Sequence, residues 1–133
     1  MNHFTVLTDD VDATIRFYGE LLGLHAGPRP NFSFPGAWLY ATDTPILHVV
    51  GGRPRSELRP GVIDHMAFTG RDLASTLSAL REKGIEHTCR RQVTSGIWQV
   101  FFTDPNGARV ELDFDPGESD ADAGGSAARS PAA

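Results

Sequence analysis

The chain is short of several things, and each shortage removes a class of protein. It has a single cysteine, Cys89, among 133 residues, so no disulfide framework exists within it, which fits a reducing cytoplasm. A lone cysteine is ordinarily a small apolar residue, and Cys89 is read that way rather than as a nucleophile. No apolar run approaches the roughly 20 residues needed to cross a bilayer. The first residues lack the basic-then-apolar pattern of a secretory leader. A membrane is therefore not an expected partner. Basic residues form no stripe: 12 Lys and Arg stand against 17 Asp and Glu, for a net charge of −5. A nucleic-acid surface is not expected either. The local clusters "GGRPRSELR" and "CRRQ" read as solvated loop or edge-strand charge.

What is present is enough for one domain with a core, since 40% of the residues are hydrophobic. The acidity is uneven. Residues 115–133 carry −3, which leaves −2 for the 114 residues before them. That final stretch, "DPGESDADAGGSAARSPAA", has no periodicity and almost no large apolar residue, and is read as a disordered tail.

The rest of the chain repeats itself. "NHFTVLTDDVDATIRFYGELLGL" predicts a strand, a turn at Asp9-Asp10, and a helix. Val11, Ile15, Phe17, Tyr18, Leu21 and Leu22 recur there at helical spacing, and Gly23 ends the helix. "DHMAFTGRDLASTLSALREKGI" repeats the order with Leu73, Leu77, Leu80 and Gly84. His3 precedes His65 by 62 positions, Asp10 precedes Asp72 by 62, and Gly23 precedes Gly84 by 61. Strand signals follow in each half: "GLHAGPRP", "AWLYAT" and "PILHVV", then "IEHTCRR", "IWQVFFT" and "ARVELDF". In the second half "DPNG" (Asp104 to Gly107) is a strong hairpin turn. The predicted fold is α+β, with βαβββ modules in tandem at 1–51 and 61–114 and a linker at 52–60.

The duplication picks out the candidate site. His48 lies 45 residues after His3, and Glu111 lies 46 after His65. His48 and Glu111 thus hold equivalent points on the last strands of the two halves, as His3 and His65 do on the first. Strand alternation puts His3, Thr5 and Leu7 on one face, Ile46, His48 and Val50 on another, and Arg109, Glu111 and Asp113 on a third. The opposite faces are apolar enough to pack under the helices. If the halves pack about a pseudo-twofold axis, three imidazoles and one carboxylate converge on one point. Imidazoles with a carboxylate suit non-haem Fe(II), and equally Mn, Ni, Co or Zn. His25 and His87, on each second strand, are read as edge-strand residues.

These residues resemble the vicinal oxygen chelate superfamily, which includes glyoxalase I, extradiol ring-cleaving dioxygenases, fosfomycin-resistance thiol transferases and bleomycin-binding proteins. "NHFTVLTDDVDATIRFYGELLGL", "DHMAF" and "FFTDPNGARVEL" carry the resemblance, which spans about residues 2–114. It implies paired βαβββ modules forming a cupped mixed sheet around one divalent metal. The superfamily's ligand positions match His3, His65 and Glu111. Glyoxalase I takes a fourth ligand, a glutamate, from the strand that holds His48 here. His48 is therefore either a ligand or an acid–base group, and His48 and Glu111 are the candidate catalytic residues. Thr5, Trp38, Tyr40, Phe101 and Arg109 are candidates for the substrate pocket. The implied function is a metal-dependent lyase, isomerase or ring-cleaving dioxygenase acting on vicinal oxygens of a small molecule. The alternatives are a metal-free binding or resistance protein of the same fold, and a thiol transferase. The resemblance also implies a homodimer.

Overall fold

In chain order the elements are β1 (Phe4–Leu7), α1 (Val11–Leu22), β2 (His25–Gly27), β3 (Gly36–Ala41), β4 (Thr44–Val50), a 3-10 turn at Arg55–Glu57, β5 (Met66–Thr69), α2 (Leu73–Glu82), β6 (His87–Arg91), β7 (Trp98–Thr103) and β8 (Arg109–Phe114). They are those of a computed structural model that describes residues 1–61 and 63–120. The βαβββ order is present twice, as the duplication predicts. Contacts divide the chain into two units, residues 1–64 with 104–108, and residues 65–103 with those from 109 onward. Among the described residues no helix is long and apolar enough to cross a membrane.

Both helices begin on the aspartate that the repeat aligns. Asp10 Oδ1 accepts the Ala13 amide at 3.0 Å, and Asp72 Oδ1 accepts the Ser75 amide at 3.1 Å. Each satisfies a first-turn N–H that the helix itself leaves unpaired. At the far end of α1, Gly23 takes φ +71°, and the Gly23 and Leu24 amides donate to Gly19 O and Tyr18 O. This is the left-handed helix stop that glycine tolerates best.

In the first unit the sheet runs β1-β4-β3-β2, with β1 parallel to β4 and the other pairs antiparallel. Leu39, Leu47 and Val49 are buried on the face beneath α1. The apolar positions of α1 lie on that side, yet only Thr14 and Tyr18 are fully buried. The second unit repeats the plan as β5-β8-β7-β6. Leu73, Leu77 and Leu80 of α2 are fully buried, as are Cys89, Val100 and Val110 of the sheet.

Two expectations need correction. His3 and His65 each sit one residue ahead of their strand rather than within it, and both are exposed. β2 is only three residues long, because Pro28 follows at once and brings no N–H to the ladder. His87 stands on an edge strand, β6, as expected, and its side chain is buried. Its Nδ1 lies 2.8 Å from Ile85 O, and its Nε2 has no partner.

The turn from Asp104 to Ala108 completes the first unit through buried polar groups. Asp104 Oδ1 accepts the Asn106 and Ala108 amides at 2.8 and 2.7 Å, and its Oδ2 accepts the Tyr18 hydroxyl at 2.8 Å. Asn106 Nδ2 donates to Thr14 Oγ1 at 3.0 Å, while the Thr8 hydroxyl donates to Asn106 Oδ1 at 2.6 Å. Thr8, Thr14, Tyr18 and Asp104 are all buried. Buried polar groups are ordinarily partnered in this way.

The expected tail falls mostly on residues 121–133, outside the described residues. Its first residues are held by the second unit. Glu118 Oε1 accepts the Leu73 amide at the start of α2 (2.7 Å), and Glu118 O accepts Trp98 Nε1 (2.8 Å). Pro116 O accepts Arg91 Nη2 at 2.8 Å.

Candidate functional site

Strand register carries the duplication down to single residues. Across the parallel β1–β4 pair, Thr5 stands opposite His48; across β5–β8, Ala67 stands opposite Glu111. Thr5 and Ala67 lie two residues beyond His3 and His65, so each leading histidine projects on the same face as the partner expected for it. On the other flank Trp38 pairs with His48, and Phe101 pairs with Glu111. The equivalence of His48 and Glu111, inferred from spacing, is a property of both sheets.

The second unit brings His65 and Glu111 together. His65 Nε2 lies 2.7 Å from Glu111 Oε2. Glu111 is only 5% exposed, and a buried carboxylate is costly unless its oxygens are matched. Here Oε2 meets the imidazole and Oε1 accepts Gln99 Nε2 at 2.7 Å. Gln99 Oε1 in turn accepts Arg90 Nη2 at 3.0 Å. A continuous polar line thus runs from Arg90 on β6 through Gln99 on β7 and Glu111 on β8 to His65, just ahead of β5. Asp113 lies beside it, opposite Gln99. Burial first, then the hydrogen bond and charge of Glu111, push the Asp113 carboxyl up to about 6. Phe101 is 5% exposed. The His65 ring stands nearly perpendicular to it at 5.5 Å between centroids, and the Arg109 guanidinium lies 4.6 Å over it. Phe101 therefore supports His65 and Arg109 from beneath rather than offering a free face.

The first unit brings His3 and His48 together by stacking. Their ring centroids are 3.9 Å apart and 15° from parallel, and Trp38 covers the other face of His48 at 4.1 Å and 6°. Both faces of His48 are covered, so its plane is fixed while its nitrogens lie at the ring edge. Burial, then the neighbouring His3, lower the His48 pKa. A ring biased towards its neutral form keeps a lone pair for a metal or a proton. Thr5 is exposed at the rim of this face. Tyr40 donates its hydroxyl to Pro28 O and stacks with His25 at 6.0 Å, so that hydroxyl already has an acceptor.

The four expected ligands stand as two pairs, one in each unit. Among the described residues, no three His, Cys, Asp or Glu side chains gather as a set that would hold a metal ion. The sequence reading missed Arg90 and Gln99 as part of the site. Gln99 lies two residues before Phe101, so alternation alone puts it on the Glu111 side. Arg90 joins through the β6–β7 register, which a single sequence does not display.

Comparison with known proteins agrees with the duplicated fold. Residues 1–112 match the Glyoxalase/Bleomycin resistance protein/Dioxygenase superfamily, and the chain belongs to that family. It is similar to Glyoxylase I 4 of Arabidopsis thaliana, 29% identical over 119 residues that cover 84% of this chain and 68% of that one. Its fold is similar to that of a glyoxalase/dioxygenase from Nostoc punctiforme, with a TM-score of 0.66 and 25% identity over 86% of this chain and 90% of the other. It is also similar to a variant of the fosfomycin resistance protein FosX from Listeria monocytogenes, solved with Mn(II) and dihydroxypropylphosphonic acid. That comparison has a TM-score of 0.70 and 15% identity, covering 86% and 91% of the two chains.

Proposed function

We propose that this protein is a metal-dependent enzyme of the glyoxalase/dioxygenase type, acting on a small molecule with adjacent oxygens. The observation that carries the reading is the His65–Glu111 pair, an imidazole nitrogen and a buried carboxylate oxygen 2.7 Å apart. This donor chemistry fits a divalent ion of the Fe, Mn, Ni, Co or Zn group. The side chain of Glu111 has one oxygen tied by Gln99 and the other directed at His65, so Oε2 is the oxygen available to an ion. His65 and Glu111 would hold it. The first unit's own candidate donors are His3 and His48. A bound divalent ion supplies Lewis acidity that stabilises negative charge developing on substrate oxygens.

The chain's residues do the rest. Glu111 would serve as a ligand and as a proton acceptor, with Oε2 set against His65 and Oε1 held by Gln99. His48, held in plane by His3 and Trp38, gives or takes a proton at its ring edge. In the first unit Trp38 and Thr5 flank His48 on its sheet; in the second, Arg109, steadied on Phe101, supplies positive charge suited to an anionic group. The lone cysteine is buried, and a reducing cytoplasm is the proposed location, with a homodimer as the proposed assembly.

The test has two stages. Metal analysis of protein purified without a histidine tag is expected to find a bound divalent ion. Turnover is then compared for the methylglyoxal–glutathione hemithioacetal and for catechols. A protein that holds no metal yet binds small molecules is instead a metal-free member of the family.

A further inference from the structure

We propose that Gln99 is a positioning residue that makes Glu111 a one-oxygen ligand, and that Arg90 fixes the direction in which Gln99 does so. The inference rests on the metal reading of Glu111 and names two residues that neither the family match nor the duplication singles out. An amide side chain has two ends, and only its NH2 end can donate to a carboxylate. Arg90 has donors and no acceptor, and its Nη2 sits 3.0 Å from Gln99 Oε1. The amide oxygen is therefore committed to Arg90, and the NH2 group must face Glu111, where it lies 2.7 Å from Oε1. That bond occupies one carboxylate oxygen and leaves Oε2 towards His65.

Register makes the arrangement rigid. Arg90 lies directly opposite Gln99 across β6–β7, and Gln99 lies beside Glu111 on the neighbouring strand, opposite Asp113. All of these residues belong to the second unit. Among the described residues, the first unit has no counterpart to the line. Its Glu111 equivalent is His48, held by ring stacking instead. Outer partners of metal ligands typically change affinity by about 10–100-fold when removed, which sets the expected size of the effect.

The experiment titrates the full chain with Mn(II) alone, by calorimetry, alongside thermal melting. Gln99→Leu is expected to weaken Mn(II) binding about 10–100-fold. Arg90→Met is expected to weaken it less, and to add nothing in the Gln99→Leu background, because Arg90 acts only through the amide. Arg90→Lys keeps a donor and is expected to restore most of the affinity lost in Arg90→Met. If Gln99→Leu does not fold, the contrast between Arg90→Met and Arg90→Lys decides alone. Equal Mn(II) affinity in wild type and Gln99→Leu overturns the role of Gln99, and so does an Arg90→Met effect that is the same in both backgrounds. A wild-type protein that takes up no Mn(II) overturns the metal reading itself, a result distinct from either.

Discussion

His48 stands in the first sheet where Glu111 stands in the second. Each lies opposite the residue two places beyond its module's leading histidine, and each is flanked on the third strand by an aromatic ring, Trp38 or Phe101. One frame therefore presents an imidazole in one module and a carboxylate in the other. On the proposed metal reading, a neutral imidazole would leave the cation less compensated than a carboxylate does, which would favour an anionic substrate.

His48→Glu places the same acid in both frames. It forfeits two ring contacts, at 3.9 and 4.1 Å, each worth about 0.5–1.5 kcal/mol beyond area. The variant is expected to fold with a thermal midpoint lower by several degrees, to keep its metal, and to change which metal it prefers. Metal analysis and a melting curve check this. A variant that fails to fold would show His48 to be a packing residue only.

Glu111→Gln keeps the size of the side chain and removes the charge that offsets a divalent ion. The Gln99 amide still finds an acceptor at position 111, so the sheet is expected to remain folded with little change in melting. Metal content is expected to fall sharply, by tenfold or more on the scale of lost ligand interactions, about 10–100-fold even for outer partners. Full metal occupancy in this variant would remove Glu111 from the ligand set.

Tyr18→Phe tests the buried polar turn. The hydroxyl donates to Asp104 at 2.8 Å, and its loss leaves one fewer donor on a buried carboxylate. The expected cost is about 1–3 kcal/mol, measured by denaturant unfolding. The pH dependence has a defined sign. Burial, then the charge of Asp104, raise the Tyr18 pKa well above its ordinary value, while the unfolded chain ionises near its ordinary value, about 10. Above that pH the unfolded state binds fewer protons than the folded one, so stability falls as pH rises. The wild type is expected to lose stability steeply above about pH 10, and the variant to lose less over the same range.

How much of this was legible beforehand depended on separation along the chain. The helices, the aspartates that precede them and Gly23 followed from short-range periodicity and from the repeat, and so did the buried faces of β4 and β8. The pairing of His65 with Glu111 was legible only because the duplication aligned it with His3 and His48. Contacts set by register between strands were not legible. Arg90 meets Gln99 through a pairing that could have slipped by two residues without changing any hydrophobic pattern. The bond between Tyr18 and Asp104 joins residues 86 apart, and nothing in the helical stripe of α1 marks Thr14 as buried among polar partners. The tail was read from composition, which describes an average and missed a single docking residue, Glu118.

That residue divides the tail into two parts with different expected behaviour. Residues 121–133 offer no large apolar side chain, and their deletion is expected to leave the thermal midpoint unchanged. A deletion starting at residue 116 also removes Glu118, whose carboxylate accepts the Leu73 amide and whose carbonyl accepts Trp98 Nε1. The first contact places a negative charge at the positive end of α2, worth about 0.3–1 kcal/mol when exposed and more when partly buried. The second leaves the indole N–H of a buried tryptophan without this acceptor, at a cost of about 1–3 kcal/mol. The longer deletion is therefore expected to lower stability by about 1–4 kcal/mol on those two scales, and Glu118→Gln to reproduce only the smaller, charge-dependent part. Melting curves of the two truncations and of Glu118→Gln check this. Identical midpoints for all three and the wild type would mean that Glu118 contributes nothing to holding α2.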